Sequence, residues 1–194
     1  MPTRTIHTAT LSDKEHIIDT LVLAFSADPV ERWLYPDPHA YLTNFPIFLT
    51  AFTAKTFESE KAYYVNGYAG AALWLPPNVH LDDEAITASL EQTLDKQRQP
   101  DVFALLEQMS HYHPHEPHWY LAVIGVDAAR QGFGLGSMLV QHTLASCDKD
   151  QVPAYLESTN PKNIPFYERH GFELLGTIQA GASPPMFPML RKPC

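Results

Sequence analysis

Hydrophobic residues recur three and four positions apart in several stretches of this chain of 194 residues. The first stretch follows Ser12-Asp13-Lys14-Glu15, which has the sequence of a helix capping box, and it stops near Asp28-Pro29. Prolines mark most of the other boundaries. The pattern predicts helices from Ser12 to the Asp28-Pro29 step, at 40–59 with a kink at Pro46, and at 82–96, 100–110, 134–146 and 164–170.

Shorter apolar runs that are bounded by turn residues are typical of strands. Asn66-Gly67 lies between two such runs and is a strong hairpin signal. A hairpin early in the chain and strand–helix units later predict one α/β or α+β domain around a mixed sheet. The predicted strands are 3–8, 61–65, 69–75, 119–126, 154–157, 172–178 and 186–190.

Composition narrows the class of partner. Hydrophobic residues make up 45% of the chain and charged residues 18%, which is typical of a folded domain. The formal net charge of −9 argues against sequence-independent nucleic-acid binding, because such binding requires a basic surface. The same charge favours a cationic small molecule as a partner.

The termini and cysteines bear on location. Met1 to Ile6 lack the apolar run of a signal peptide, and the longest apolar stretch, 69–75, is too short to span a bilayer. The two cysteines, Cys147 and Cys194, fit neither a disulfide framework nor a thiolate metal site. We therefore expect a cytoplasmic protein without a membrane partner.

The most informative segment runs from Val126 to Ser137, where a predicted strand ends, three glycines alternate with other residues and a helix begins. Glycines let the backbone approach a ligand closely, and the free N–H groups at a helix start bind phosphate. A Walker A loop is excluded because Gly136, and not lysine, precedes Ser137. A dinucleotide-binding Rossmann motif is disfavoured because Ser137 stands in place of the third glycine and too little chain follows.

Within this segment, Gln131-x-x-Gly134-x-Gly136 resembles Arg/Gln-x-x-Gly-x-Gly/Ala, the acyl-CoA signature of the GNAT N-acetyltransferase superfamily. A second block, 156–172, is similar to the family's later strand, its asparagine-containing loop and its tyrosine-bearing helix that ends in Gly-Phe. The two blocks lie at the spacing found in the family and together cover Trp119 to Gly176.

The N-terminal half resembles one branch of that superfamily. Segments 24–29, 70–77 and 118–121 look like those of puromycin N-acetyltransferase-like proteins. Ala128 departs from the proline that many relatives carry at this position, and the change affects only the stiffness of the turn.

The resemblance implies a GNAT-like α/β (α+β) fold, in which helices flank a central mixed, mostly antiparallel sheet and splayed strands form the acyl-CoA cleft. Residues 1–194 are then a single N-acetyltransferase domain, with a substrate-side half at 1–117 and an acyl-CoA-binding half at 118–194. The implied contacts of acetyl-CoA come from the end of one strand, the glycine loop and two loop asparagines. They are Ile124, Val126, Gln131, Gly132, Phe133, Gly134, Leu135, Gly136, Ser137, Asn160 and Asn163.

By the same resemblance, Tyr167 is the general acid that protonates the departing CoA thiolate. The base that takes the amine proton stays open between His118, Glu157 on the neighbouring strand, and a relay of water to bulk solvent. Histidines also stand at 111, 113 and 115, but the prolines between them match no familiar zinc pattern, so no metal is expected.

The expected activity is direct transfer of acetyl from acetyl-CoA to the amine of a small molecule. Two alternatives stay open, a non-catalytic sensor of acyl-CoA and a protein or peptide N-acetyltransferase. Asp28, Trp33 and Tyr35 are expected to line the acceptor pocket. Both a monomer and a homodimer are compatible with the sequence.

Overall fold

The computed structural model describes residues 4–194, and its centre is a seven-stranded sheet. The strands are β1 (Ile6–Thr8), β2 (Ala62–Val65), β3 (Gly70–Leu75), β4 (Trp119–Val126), β5 (Ala154–Ser158), β6 (Glu173–Leu174) and β7 (Phe187–Arg191). Their order across the sheet is β1-β2-β3-β4-β5-β7-β6. Strands β4 and β5 are parallel, and the other neighbouring pairs are antiparallel. The predicted fold class, with a mixed and mostly antiparallel sheet, is confirmed.

Helices cover both faces of this sheet. They are α1 (Lys14–Ala24), α2 (Pro29–Leu34), α3 (Pro38–Phe52), α4 (Ala54–Glu58), α5 (Asp83–Thr93), α6 (Gln99–Tyr112), α7 (Leu135–Asp150) and α8 (Ile164–Glu168). Within residues 4–194, none of these helices has the length and apolar character needed to cross a membrane.

The start of the first helix corrects the sequence prediction. A 3-10 turn, Leu11–Asp13, precedes α1, so the capping box predicted at Ser12 to Glu15 is wrong. The box is formed two residues earlier, where the N–H of Thr10 donates to Asp13 Oδ2 over 2.8 Å. Hydrogen bonds from Thr10, and then from the Tyr68 hydroxyl, lower the pKa of Asp13 to about 2.

The region between α1 and β2 also differs from the prediction. Helix α2 is not predicted by the hydrophobic pattern, yet Asp28 caps it by accepting the N–H of Val30 over 3.0 Å, and Pro29 occupies its first turn. The single helix predicted at 40–59 is two helices, because α3 continues through Pro46 and ends at Phe52 before α4 begins.

The strand predictions hold at the hairpin and at β7 and fail at 172–178. Strands β2 and β3 form the predicted hairpin, and Gly67 adopts a φ of 73° in its turn. The strand predicted at 172–178 is mostly wrong, because only Glu173 and Leu174 pair with β7 and Ile178 makes a single bridge. The first predicted strand begins at Thr3, which lies outside the described residues.

Two apolar layers hold the sheet between the helices. Helices α1 to α6 pack on one face around Leu73, and α7 and α8 pack on the other around Trp74. Both side chains are completely buried, as expected for alternating residues of a strand that is covered on both sides. Each such side chain contributes roughly 1.5–3 kcal/mol through burial.

The feature of the fold that creates the site is a separation of β4 from β5. The described pairing between them consists of Trp119 with Ala154 and Tyr120 with Tyr155, although both strands continue beyond it. A register shift between β3 and β4 leaves Ala122 out of the pairing at the point where the strands part. The unpaired ends open the sheet at its centre and leave backbone N–H and C=O groups of β4 without strand partners.

Candidate active site

The separated strands and the glycine loop enclose an open cleft of about 690 Å³. Gly132 and Gly134 both have a φ of 79°, and Gly134 is the N-cap residue of α7. A Cβ added at either glycine meets no atom within 4 Å, so no protein packing requires these glycines. Their left-handed backbone, together with the free N–H groups of a 16-residue helix, forms a cradle that fits a pyrophosphate.

The predicted cofactor residues gather in this cleft, which we call the glycine-loop cleft. Ten of the eleven line it, and Phe133 points elsewhere, with 56% of its surface exposed and the Arg4 guanidinium over its ring. Asn160 also shapes the loop itself, because its Oδ1 accepts the N–H of Lys162 over 3.1 Å.

Sequence reasoning missed the basic side chains of the cleft. Arg130, Lys162 and Arg169 all line it and are exposed, although the chain as a whole is acidic. Arg130 directly precedes the glycine signature, and Lys162 and Arg169 lie inside the second block of the family resemblance; these positions are the signal that could have identified them. A cluster of three cations around a glycine cradle favours an anionic ligand with more than one phosphate.

Tyr167 lies at the inner end of the glycine-loop cleft and also lines an internal cavity of about 120 Å³. Only 6% of the residue is exposed. Burial raises the pKa of its phenol, and the nearby charge of Asp28 raises it further. The phenol therefore keeps its proton over the physiological pH range and can act as a proton donor.

Aromatic and aliphatic side chains line most of the internal cavity, including Phe25, Phe45 and Phe48. Two carboxylates, Glu31 and Glu157, also line it. Each has one buried oxygen with no hydrogen-bond partner among residues 4–194. An apolar cavity with two unpartnered carboxyl oxygens fits an amine whose remaining surface is apolar.

Glu31 and Asp28, the N-cap residue of α2, form a buried acidic pair. Asp28 Oδ2 accepts a hydrogen bond of 2.6 Å from Thr159 Oγ1, and burial raises the pKa of Asp28. Burial, and then the charge of Asp28, raises the pKa of Glu31 to about 8. Sequence reasoning missed Glu31; its only signal is an acidic residue three positions after Asp28, in a short helix whose other residues are apolar except for Arg32.

The other residues expected in the acceptor pocket lie apart from these two cavities. Tyr35 is buried and its hydroxyl lies 2.8 Å from Thr93 Oγ1. Trp33 packs against the apolar layer on the same face. Asp28 is the member of the predicted trio that lines the glycine-loop cleft.

The two candidate bases lie at different depths. Glu157 lines the internal cavity and also a second open cleft of about 620 Å³, and its side chain is 3% exposed. His118 lines only that second cleft, together with His80, His113 and His115, and we call it the histidine cleft. Burial lowers the pKa of His118. Within residues 4–194, no three His, Cys, Asp or Glu residues are grouped to hold a metal ion.

Sequence comparison agrees with this geometry. Residues 103–172, which include β4, the glycine loop, Glu157 and Tyr167, match the model of the Acetyltransferase (GNAT) family. An uncharacterized N-acetyltransferase of Schizosaccharomyces pombe, C550.08, is 30% identical over 178 residues, which cover 79% of this chain and 68% of the relative. The fold and sequence define an acyltransferase of the GNAT class. The chain belongs to the GNAT acetyltransferase family and is an N-acetyltransferase, which confirms the predicted family and enzyme class.

Solved structures of low sequence identity share the fold. A histone acetyltransferase HPA2 and related acetyltransferase from Corynebacterium glutamicum superposes with a TM-score of 0.73 at 24% identity, covering 99% of this chain and 97% of that one. An agmatine N-acetyltransferase gives 0.70 at 12% identity, with 97% and 99% coverage. Arylalkylamine N-acetyltransferase 2 from Aedes aegypti gives 0.67 at 13% identity, with 98% and 99% coverage.

Proposed function

We propose that this enzyme transfers the acetyl group of acetyl-CoA directly to the primary amine of a small molecule. The observation that carries the proposal is the position of Tyr167, which lines both the glycine-loop cleft and the internal cavity. A thioester in the cleft and an amine in the cavity would meet beside a phenol that holds its proton. The names of the structural neighbours, which refer to agmatine and arylalkylamines, support a small amine as acceptor.

The glycine-loop cleft would hold acetyl-CoA through atoms of three kinds. Backbone N–H groups of 131–137 would bind the pyrophosphate, and the exposed basic residues Arg130, Lys162 and Arg169 would balance its charge. The pantetheine arm would lie along the unpaired edge of β4 at Ile124 and Val126, in the manner of an added strand. Asn160 and Asn163 would face it from the opposite side.

The transfer step then follows from ordinary acyl chemistry. The unprotonated amine nitrogen attacks the thioester carbonyl carbon, a C–N bond forms and the C–S bond breaks. The Tyr167 hydroxyl gives its proton to the departing sulfur, which leaves as the thiol. The nitrogen loses one proton, which a base on the cavity side accepts. Glu157 is placed for that role because its unpartnered oxygen lies at the internal cavity.

The size of the cavity favours small acceptors over protein tails. A volume of about 120 Å³, lined mostly by apolar side chains, holds a compact amine more readily than an extended peptide. The cavity is lined from both 1–117 and 118–194, so the proposed substrate-side and acyl-CoA-side halves would meet around the acceptor. The expected cytoplasmic location remains part of this proposal.

A thiol-release assay with acetyl-CoA and a panel of amines tests the proposal. We expect Tyr167→Phe to lower kcat by roughly 100-fold, because a positioned acid contributes on that scale. The affinity for CoA, measured by calorimetry, should stay unchanged. Tyr63→Phe is the matched control, because Tyr63 is a half-buried phenol that packs on the same apolar layer and lines neither cavity. If CoA binds and no amine releases thiol, the alternative of a non-catalytic sensor replaces the proposal.

A further inference from the structure

A row of polar groups leads from the internal cavity to the surface. Glu157 Oε1, which is buried, lies 3.8 Å from Nδ1 of His113. Nε2 of His113 lies 2.9 Å from Nε2 of His118. Nδ1 of His118 lies 2.7 Å from the backbone carbonyl oxygen of Glu116. The exposed fraction rises along this path, from 3% for the Glu157 side chain to 33% for that of His113.

The Glu116 carbonyl, at the outer end of this path, determines which ring nitrogens of the two histidines carry a hydrogen. A carbonyl oxygen can only accept, so His118 Nδ1 carries a hydrogen and donates it to Glu116. A neutral His118 then presents a lone pair at Nε2, so His113 must donate from its own Nε2. Burial lowers the pKa of His118, which favours this neutral ring.

This proton arrangement determines the state of the second ring nitrogen of His113, Nδ1. A neutral His113 that is protonated at Nε2 turns the lone pair of Nδ1 toward the Glu157 carboxylate. Two acceptor atoms thus face each other across 3.8 Å, and Glu157 Oε1 has no hydrogen-bond partner among residues 4–194. A proton bound to either atom would turn this pair into a donor and an acceptor.

We propose that Glu157 accepts the proton of the attacking amine and passes it to His113. His118 and the Glu116 carbonyl align the His113 ring, and His113 releases the proton to solvent in the histidine cleft. This inference rests on the proposed function. In each turnover the N–H bond of the amine breaks and an O–H bond forms on Glu157. The proton then moves to His113 Nδ1, and the resulting imidazolium gives a proton to water. Glu157 is the catalytic residue, and His113 and His118 are positioning residues that act through it.

Three tyrosines and a further histidine lie near this pair and His118. The phenols of Tyr120 and Tyr155 lie beside Glu157, and burial followed by the charge of Glu157 raises the pKa of each, so both stay protonated. His80 faces His118 from the loop after β3, and its charge opposes protonation of the ring. Tyr112 at the end of α6 faces Tyr155.

The other charged groups at these two cavities define the competing possibilities. Glu31 is the second carboxylate of the internal cavity and is therefore the rival base. Glu107 and Asp83 line the histidine cleft, where they favour release of a cation. His115 lines the same cleft and is exposed, so it serves as a control.

The first test measures kcat against pH for the full-length enzyme and its variants. We expect Glu157→Gln to lower kcat at least 100-fold while the affinity for CoA stays unchanged. Glu31→Gln, at the other carboxyl group of the cavity, should raise the KM for the amine and lower kcat far less than Glu157→Gln does. We expect His113→Phe to lower kcat about tenfold and to move the acidic limb of the profile down by at least one pH unit. The reason is that a protonated His113 ring cannot accept the proton from Glu157, and the phenylalanine variant has no ring that acid can block in this way. His118→Phe should shift the limb in the same direction, and His115→Phe should leave it in place.

The second test needs no acceptor. Nitrogen chemical shifts of the histidine rings in the free protein should assign the Nε2-protonated tautomer to His113, and His118→Phe should abolish that preference. A His113 ring protonated at Nδ1 in the wild type overturns the alignment. An unchanged acidic limb in His113→Phe overturns the relay, and a large kcat loss in Glu31→Gln with none in Glu157→Gln overturns the choice of base. Absence of thiol release with every amine is a failure of the proposed function instead, and the tautomer measurement still decides the alignment.

Discussion

The glycine-loop cleft and the internal cavity meet at Tyr167, but they are built from different kinds of atom. Three short segments, at 24–28, 124–137 and 160–169, line the cleft, and the backbone cradle of the glycine loop lies in the second of them. Side chains from four helices, α2, α3, α5 and α6, line most of the cavity together with the separated strands. Backbone groups recognise what every acyl-CoA shares, whereas side chains recognise one acceptor.

This difference explains why the sequence predicts the cleft better than it predicts the cavity. A backbone cradle requires glycines at fixed spacing, because only they adopt the necessary φ without strain. A cavity formed by side chains requires only that the residues be apolar and of suitable size, and these requirements match those of any core. The acceptor can therefore change within one fold while the cofactor site stays the same.

The largest effect is expected from a change in the backbone of the glycine-loop cleft, which tests whether that backbone binds CoA. We expect Gly134→Val to weaken CoA binding more than 100-fold, because a β-branched residue at a φ of 79° strains the loop and its side chain enters the cradle. The folding free energy should fall by only about 1–2 kcal/mol. Gly67→Val is the matched control, since Gly67 has a φ of 73° in a hairpin turn with no atom near the added Cβ. Calorimetry with CoA and urea unfolding check both variants, and equal CoA affinity in the two would contradict the cradle.

The residues that were predictable divide along the same line. The glycine loop, the hairpin at Asn66-Gly67 and the sheet class follow from local patterns, and the structure contains all three. Helix α2 escapes prediction because six residues provide less than two helical turns, too few to display a period. The Glu157–His113 pair escapes it because the residues lie 44 positions apart by their numbers and meet only through the sheet. Such long-range side-chain contacts have no spacing of their own to detect.

Glu31 offers a smaller effect that sharpens the account of the cavity. Its pKa is raised from 4.5 to about 8 by burial, so the folded state holds a proton that the unfolded state releases above pH 4.5. The stability from this group is complete below pH 4.5 and is lost as pH rises toward about 8, at roughly 1.4 kcal/mol per pH unit. We expect Glu31→Gln to flatten the pH dependence of urea unfolding in that window. Glu91→Gln, on an exposed face of α5, should leave it parallel to the wild type. An equally steep dependence in Glu31→Gln would show that the buried carboxyl is already ionised.

The smallest expected effect concerns the basic side chains at the rim of the cleft. Lys162→Ala should weaken CoA binding about threefold to tenfold, because an exposed cation contributes modestly and salt screens it over a Debye length of about 10 Å at 0.1 M. The loss should shrink at 0.5 M salt, and the KM for the amine should not change, since Lys162 lines the cleft and not the cavity. Lys149→Ala, near the far end of α7, is the matched control and should bind CoA like the wild type. A loss that is equal in both variants, or that persists at high salt, would mean that net charge or loop structure, and not a local contact with phosphate, accounts for the effect. A loss confined to Lys162→Ala would instead assign the phosphate end of the cofactor to the segment between β5 and α8, which the glycine signature alone does not identify.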